Sequence, residues 1–384
     1  MKAKTIVMSV FGARPDAVKM APLVKRLAAD PEIHGICCVT GQHRQMLDGI
    51  LNHFGIKPDY DLDIMTPRQS LAAITAKTLT GMDGVFSELR PDLVLTHGDT
   101  STGFAATLAA FYHKIPVGHV EAGLRTGRLY SPFPEEINRQ MISRMASLHF
   151  CPTRVNKQNL ENENTPGKIY VTGNTVIDAL SMTVREVYSF AEPALRGLDF
   201  EGTRVLAVTA HRRENYGKPL KDICLALLDL RDANPDVVIV YPVHLSPAVR
   251  DTVMPLLDGQ ERIVLTEPIG LLDMHNLIAR SYLVLTDSGG LQEEAPALGK
   301  PVLVLRRETE RPEAVAAGTV ELAGVARENI AGMAQKLLDD EGAYRRMARA
   351  VNPYGDGLAS ERIAQAVRRF AGLTDEPPPE FDAP

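Results

Sequence analysis

Short, continuously apolar runs rich in β-branched residues alternate with longer amphipathic stretches along the whole chain, and this alternation leaves few folds open. The first half carries such runs at residues 5–11, 35–40, 93–97, 117–120, 148–151 and 169–171. The second half repeats the plan at 205–208, 237–240, 263–265, 283–285, 302–305 and 320–322. Runs that are apolar throughout, not at every second residue, suit strands buried on both faces. Between them lie helical patterns. Val18, Leu23, Val24 and Leu27 form one apolar stripe; Ile137, Met141, Ile142 and Met145 form another. Strands and helices in strict alternation predict parallel sheets covered by helices.

Two sets of this kind imply two doubly wound, Rossmann-like domains, an α/β architecture. The length agrees: 384 residues exceed one ordinary domain at about 150 residues each. The expected first domain spans 1–173, completed by a C-terminal helix at about 358–372. The second spans 174–357, and the acidic, proline-rich stretch 373–384 reads as a loose tail. Ligands of such sheets bind beyond the carboxyl ends of the strands, which directs attention to the cleft between the two domains.

Composition excludes several classes. With 42 basic against 48 acidic residues, net charge −6, the chain lacks the basic footprint of a nucleic-acid binder. Four cysteines, none in a CxxC pair, make no disulfide framework, so a cytoplasmic setting is expected. No apolar run approaches the roughly 18 residues of a membrane span, and Gly12-Ala13-Arg14-Pro15-Asp16 follows the first run where a signal peptide needs a cleavage site. GxxxxGK[ST], GxGxxG and HExxH are absent. A calcium-loop reading of residues 59–70 fails at Ile64 and Ser70, where glycine and glutamate are required. No metal site is expected.

The chemistry-bearing residues follow predicted strands. Thr286-Asp287-Ser288-Gly289-Gly290 leaves one strand and opens a helix; glycines there let backbone N–H groups approach an anion. Ser288 as a plain helix cap is the competing reading. Arg14 follows the first strand, and His211-Arg212-Arg213 follows the run at 205–208. Cations and N–H groups at three strand ends suit a diphosphate. The acids stand in matching places. Asp99 follows 93–97, where capping the next helix would also explain it. Glu121 follows 117–120, and Glu135 and Glu136 open a helix whose dipole they could simply offset. Together, acids facing an anion cradle point to acid–base chemistry on a nucleotide-linked substrate.

These residues lie in blocks that carry a resemblance. GARPDAVKMAPL, HGDTSTGFAATLAAFYHKIPVGHVEAGLRTG, YSPFPEEINRQ, TAHRREN, LTDSGGLQEEAPALGKPVLVLR and TERPEAV resemble, in order and over nearly the whole chain, the bacterial non-hydrolysing UDP-N-acetylglucosamine 2-epimerases. The resemblance implies a glycosyltransferase-B type architecture, two Rossmann-like domains around a deep cleft, usually in a homodimer. It implies reversible inversion at carbon 2 of UDP-GlcNAc to give UDP-ManNAc. UDP is eliminated to leave a 2-acetamidoglucal and then adds back, without cofactor or metal.

By the same resemblance, Asp99, Glu121 and Glu135 match the catalytic acids, with His211 assisting. The sequence leaves open which acid serves which face; the preferred assignment has Asp99 as base and Glu121 and Glu135 placing or returning protons. Arg14, His211, Ser288, Gly289 and Gly290 match the UDP phosphate region. Lys19, Glu294 and Arg311 match other nucleotide-sugar contacts, Glu294 at the ribose, and Met274 stands near the expected uracil in place of a common phenylalanine. Gln42, His43 and Gln45, with Arg68, Arg212 and His244, resemble members that bind a second UDP-GlcNAc as activator. Ala13, Asp16 and Arg307-Glu308 depart from the family pattern. The alternatives are a 2-epimerase for a related UDP-diacetamido uronic acid and a nucleotide-sugar sensor without catalysis.

Overall fold

A computed structural model describes residues 4–41, 44–66 and 69–382, without the side chains of residues 44–46. The chain divides into two compact units. One runs up to Met182 and takes back the segment from Tyr354 onward; the other is Thr183–Pro353.

The first unit holds a parallel sheet of β1 (Thr5–Phe11), β2 (Ile33–Val39), β3 (Tyr60–Asp61), β4 (Leu93–His97), β5 (Val117–Val120), β6 (Leu148–Cys151) and β7 (Lys168–Val171), in the order 3-2-1-4-5-6-7. The second unit holds β8 (Arg204–Thr209), β9 (Val237–Pro242), β10 (Ile263–Thr266), β11 (Leu283–Thr286), β12 (Val302–Val304) and β13 (Val320–Leu322), in the order 10-9-8-11-12-13. Both sheets are doubly wound, and all twelve expected strands are present. The thirteenth, β3, is two residues long with a polar end and gave no apolar run. The strand order reverses between β1 and β4 in one sheet and between β8 and β11 in the other. At such points adjacent crossovers diverge and leave a crevice at the carboxyl edge.

Strand interiors explain the pairing. Every residue of β4 and β5 is buried, as parallel strands covered on both faces require. In the second unit, Leu206, Val208, Ile239, Tyr241, Leu283 and Leu285 pack with Ile223, Leu227 and Leu230 of the helix Lys218–Ala233 into one core. Among the described residues no helix is long and apolar enough to cross a membrane.

Three expectations change. The helix Thr175–Thr183 packs with the first unit, so the crossover falls at Met182–Thr183 and not at residue 173. Asp178 is the reason, because its carboxylate accepts from the N–H groups of Ala359 (3.2 Å) and Ser360 (2.7 Å), which open the returning helix Ala359–Phe370. The C-terminal stretch is tied down at residues 380–382, not loose there. Phe381 is buried, its N–H donates to the Val171 carbonyl, and Glu380 and Asp382 pair with Lys157 and Arg154. Finally, the helix Glu135–Met145 buries Glu136, Asn138, Arg139, Ile142 and Ser143. Of its apolar stripe only Ile142 is buried; Ile137, Met141 and Met145 are half-buried.

Candidate active site

At the carboxyl edge of the first sheet, β1, β4 and β5 deliver Arg14, Asp99 and Glu121. The turn after β1 is tight. A Cβ on Gly12 would lie 1.8 Å from Thr40 Oγ1, so only glycine lets the chain pass into the helix Arg14–Ala28. That helix carries Asp16 and Lys19 one turn apart on the same face. Glu121 adopts φ +62°, a left-handed conformation that costs a non-glycine residue about 1 kcal/mol or more. Surrounding contacts hold it there. Lys19 Nζ pairs with Glu121 Oε2, and Asn174 Nδ2 donates to the same oxygen at 3.3 Å. His97, the last residue of β4, is buried with Nε2 3.2 Å from Glu121 Oε2 and Nδ1 3.4 Å from Asp16 Oδ1.

These contacts separate the titrations of the acids. Burial opposes the ionised form of Glu121, but Lys19 and His97 outweigh it and hold the carboxyl well below its usual range. Burial also opposes protonation of His97, yet the Glu121 carboxylate raises the imidazole to about 9. Asp99 goes the other way. Burial, only partly offset by the Arg139 guanidinium and reinforced by Glu121 and Asp16, raises its carboxyl to about 6. Two neighbouring acids are thus pushed to opposite sides of the ordinary range, the arrangement that assigns proton acceptor and anion in acid–base enzymes.

A buried frame supports Asp99. Arg139 Nη1 lies 3.4 Å from Asp99 Oδ2, and Asn138 Nδ2 donates to the Asp99 carbonyl at 2.9 Å. Arg139 is fixed by Glu136, which also accepts from the N–H groups of Thr126 (3.1 Å) and Gly127 (3.2 Å) and from Gln140 (2.9 Å). Burial alone would raise Glu136; these donors and Arg139 hold it below its usual value. Beneath the turn, His119 Nε2–H donates to the Gly98 carbonyl at 2.6 Å, and burial pushes this imidazole down to about 3. Glu135 is half-buried beside Glu136.

In the second unit, β8 and β11 deliver the cationic half of the chemistry. Asp287, fully buried, accepts at Oδ2 from the N–H groups of His211 (2.7 Å) and Arg212 (2.7 Å) and from Asn215 Nδ2 (3.0 Å). One carboxylate therefore shapes the turn that presents His211 and Arg212. His211 stacks on His244, with ring centroids 5.3 Å apart and planes at 11°. Burial lowers the His211 imidazole, against the attraction of Asp287, so its neutral form is favoured. Arg212 and Arg311 converge on Gly289, where a Cβ would lie 3.7 and 3.9 Å from their Nη2 atoms. Two guanidinium groups over bare backbone are suited to a phosphate. Arg311 is steadied by Glu293. Glu294 Oε2 lies 3.4 Å from His275 Nε2, and His275 Nδ1 lies 2.7 Å from Thr183 Oγ1. Among the described residues, no group of three or more His, Cys, Asp or Glu could hold a metal ion.

Known proteins resemble this chain over nearly its whole length. The family model described as UDP-N-acetylglucosamine 2-epimerase matches residues 25–368. The UDP-N-acetylglucosamine 2-epimerase of Bacillus subtilis (strain 168) is 53% identical over 379 residues, spanning 98% of this chain and 99% of that one. The chain belongs to the UDP-N-acetylglucosamine 2-epimerase family. It is therefore an isomerase by family, as the sequence blocks implied. The Neisseria meningitidis UDP-GlcNAc 2-epimerase, solved bound to UDP-GlcNAc, superposes with TM-score 0.85 at 47% identity, covering 95% of this chain and 100% of that one. A glycotransferase of kitacinnamycin shares the fold alone, at 12% identity and TM-score 0.62 over 95% of this chain and 99% of that one. That likeness agrees with the expected glycosyltransferase-B type architecture.

For this epimerase-family chain, the structure groups Arg14, Lys19, Asp99 and Glu121 at one carboxyl edge. It groups His211, Ser288, Gly289, Gly290 and Arg311 at the other. Met274 lies half-buried on the helix Leu271–Arg280. Of the residues matched by resemblance to the activator set, Arg212 stands over Gly289 and His244 stacks on His211. Gln42, His43 and Arg68, and the side chain of Gln45, lie outside the described residues. Glu136 was weighed only as an acid opening a helix and Asp287 only as part of the anion-binding turn, and sequence reasoning passed over His97 and His119 as site residues. Their signal is only that each is a polar residue inside or beside an apolar run, which becomes meaningful once burial is known. Asp16, shorter than the family's usual glutamate, reaches Thr100 Oγ1 at 3.2 Å and so keeps a place in the cluster. Nothing in the structure explains the Arg307-Glu308 departure.

Proposed function

We propose that this chain interconverts UDP-GlcNAc and UDP-ManNAc by elimination and re-addition of UDP. The observation that carries the reading is the opposite displacement of Asp99 and Glu121 at one strand edge, within a family of 2-epimerases. The carbon-2 proton has no adjacent carbonyl to acidify it, so departure of the diphosphate must drive its loss. Asp99 as carboxylate takes that proton, the C1–O bond electrons leave with UDP, and a carbon 1–carbon 2 double bond remains. Arg212, Arg311 and the bare backbone at Gly289 stabilise charge developing on the leaving diphosphate. Re-addition of UDP with a proton delivered to the opposite face, placed by Glu121 and Glu135, completes the inversion. Glu294 binds the ribose, and neutral His211 assists at the phosphates.

The pH dependence tests the assignment. A base with a carboxyl near 6 makes kcat/KM rise about tenfold per pH unit below that value and level off above it. Asp99→Asn removes turnover and with it this limb. A variant that kept the wild-type limb would transfer the base role elsewhere. Turnover of only a UDP-diacetamido uronic acid would move the sugar assignment, and binding without turnover would make the chain a sensor. We also propose activation by a second UDP-GlcNAc, supported by the His244 ring stacked on His211; a sigmoidal rate dependence that His244→Ala makes hyperbolic tests it. A homodimer is proposed as well, supported by the exposed Phe111 and Tyr112 at one helix end, and sedimentation analysis tests it.

A further inference from the structure

We propose that His97 is a positioning residue of this reaction: clamped as an imidazolium between Asp16 and Glu121, it fixes the Glu121 carboxylate and offsets the two carboxylates that face Asp99. The proposal rests on the epimerase reading above. Its geometry is independent of that reading. The ring is buried at the end of β4, its two nitrogens 3.4 Å from Asp16 Oδ1 and 3.2 Å from Glu121 Oε2, and neither nitrogen has another hydrogen-bonding partner among the described residues. A buried imidazole with both nitrogens aimed at carboxylate oxygens must carry both protons for each contact to be attractive; a neutral tautomer would set a lone pair against an anion.

The charges around it balance on this basis. From the helix Arg14–Ala28 come Asp16 and Lys19; from the turn after β5 comes Glu121; from the turn after β4 comes Asp99, with Arg139 behind it on the helix Glu135–Met145. His119 from β5 is neutral. Asp16, Glu121, His97 and Lys19 sum to zero. Removing the imidazolium leaves one negative charge in excess beside Asp99, which makes Asp99 harder to ionise and leaves Glu121 without one of its anchors. His97 does not touch the reacting atoms in this account; it acts through Glu121 and Asp99.

The test uses the full chain as wild type, His97→Gln and His97→Asn, with UDP-GlcNAc turnover and carbon-2 deuterium uptake followed from pH 5 to 9. The proposal expects the acid limb to move up by about one pH unit, kcat to fall by about 100-fold, and KM and UDP affinity to stay within about threefold. An unshifted limb with only a smaller amplitude would overturn it, because a merely structural histidine changes amount and not profile. So would a rise in KM with kcat intact. Should neither variant fold, 15N-histidine NMR of the wild type decides: a doubly protonated His97 ring at pH 7 supports the clamp, and a neutral tautomer overturns it. Inactive wild type with a doubly protonated His97 would sink the epimerase reading while leaving the clamp's geometry standing.

Discussion

Asp287→Ala sets two physical effects against each other at the phosphate side of the site. Asp287 Oδ2 accepts from His211 N–H, Arg212 N–H and Asn215 Nδ2 at 2.7, 2.7 and 3.0 Å. Asn215 Nδ2 also donates to the Leu305 carbonyl at 3.0 Å, so it keeps a partner in the variant. The two backbone donors lose theirs. Hydrogen bonds to a charged acceptor contribute about 1.5–3 kcal/mol each, and His211 and Arg212 are half-buried, so water recovers part of the loss. The expected destabilisation of the second unit is about 3 kcal/mol. Asp287→Asn keeps the acceptor and loses only the charge, so its loss is about half as large.

Removing a carboxylate beside a phosphate site would, by charge alone, tighten UDP. Disordering His211 and Arg212 would weaken it. The structure favours the second effect, because Asp287 shapes the whole turn, and predicts about tenfold weaker UDP binding in Asp287→Ala, or 1.4 kcal/mol. Calorimetric unfolding and titration calorimetry with UDP measure the two quantities. Unchanged unfolding together with tighter UDP binding would show that Asp287 acts as a charge and not as a scaffold, and the reasoning would be refuted.

Three further outcomes follow from the same contacts. Glu121→Gln should lower turnover by at least about 100-fold with UDP binding largely retained, since Arg212, Arg311 and the bare backbone at Gly289 belong to the second unit and do not depend on it; titration calorimetry and a turnover assay check this, and near-normal turnover would remove Glu121 from the mechanism. His119, lowered to about 3 in the folded chain from an unfolded 6.5, binds a proton in the unfolded state first, so stability falls as pH drops below 6.5, by up to roughly 1.4 kcal/mol per unit. Across that window the unfolded His97 finishes taking up its proton, so its own stabilising slope fades, and Asp99, raised to about 6 in the folded chain, takes up a proton and offsets part of the decline in both wild type and variant. His119→Gln should flatten the decline of the urea midpoint between pH 6.5 and 5, and an unaltered slope would contradict the assignment. Phe381→Ala removes a buried ring that packs 5.4 Å beneath the Arg362 guanidinium; it should destabilise the first unit by about 3 kcal/mol, whereas a tail without structural role would leave the thermal midpoint unchanged.

What the sequence disclosed depended on distance along the chain. Strands and turns are local, so the apolar runs found both sheets, and strand-end residues such as Asp99, Glu121 and Gly289 were found with them. Which core a helix joins is not local. Val176 and Ile177 in the helix Thr175–Thr183 would suit either unit, and only the contact of Asp178 with residues some 180 positions later decides. The tail was misread for the same reason, since the partners of Glu380 and Asp382 lie more than 220 positions back. His97 and Asp287 look like the end of an apolar run and part of a turn until burial and partners show them as a clamp and a scaffold. The half-buried stripe of Ile137, Met141 and Met145 shows the reverse error: helical periodicity located a face, but the buried face is the polar one, because Glu136 gathers four donors there.

Proton NMR of the full chain with UDP-GlcNAc in heavy water, with a chelator present, tests the central claim most directly. The account predicts UDP-ManNAc with deuterium at carbon 2, formed to equilibrium and abolished by Asp99→Asn. Epimerisation with the carbon-2 proton retained, or release of free ManNAc and UDP, would contradict it.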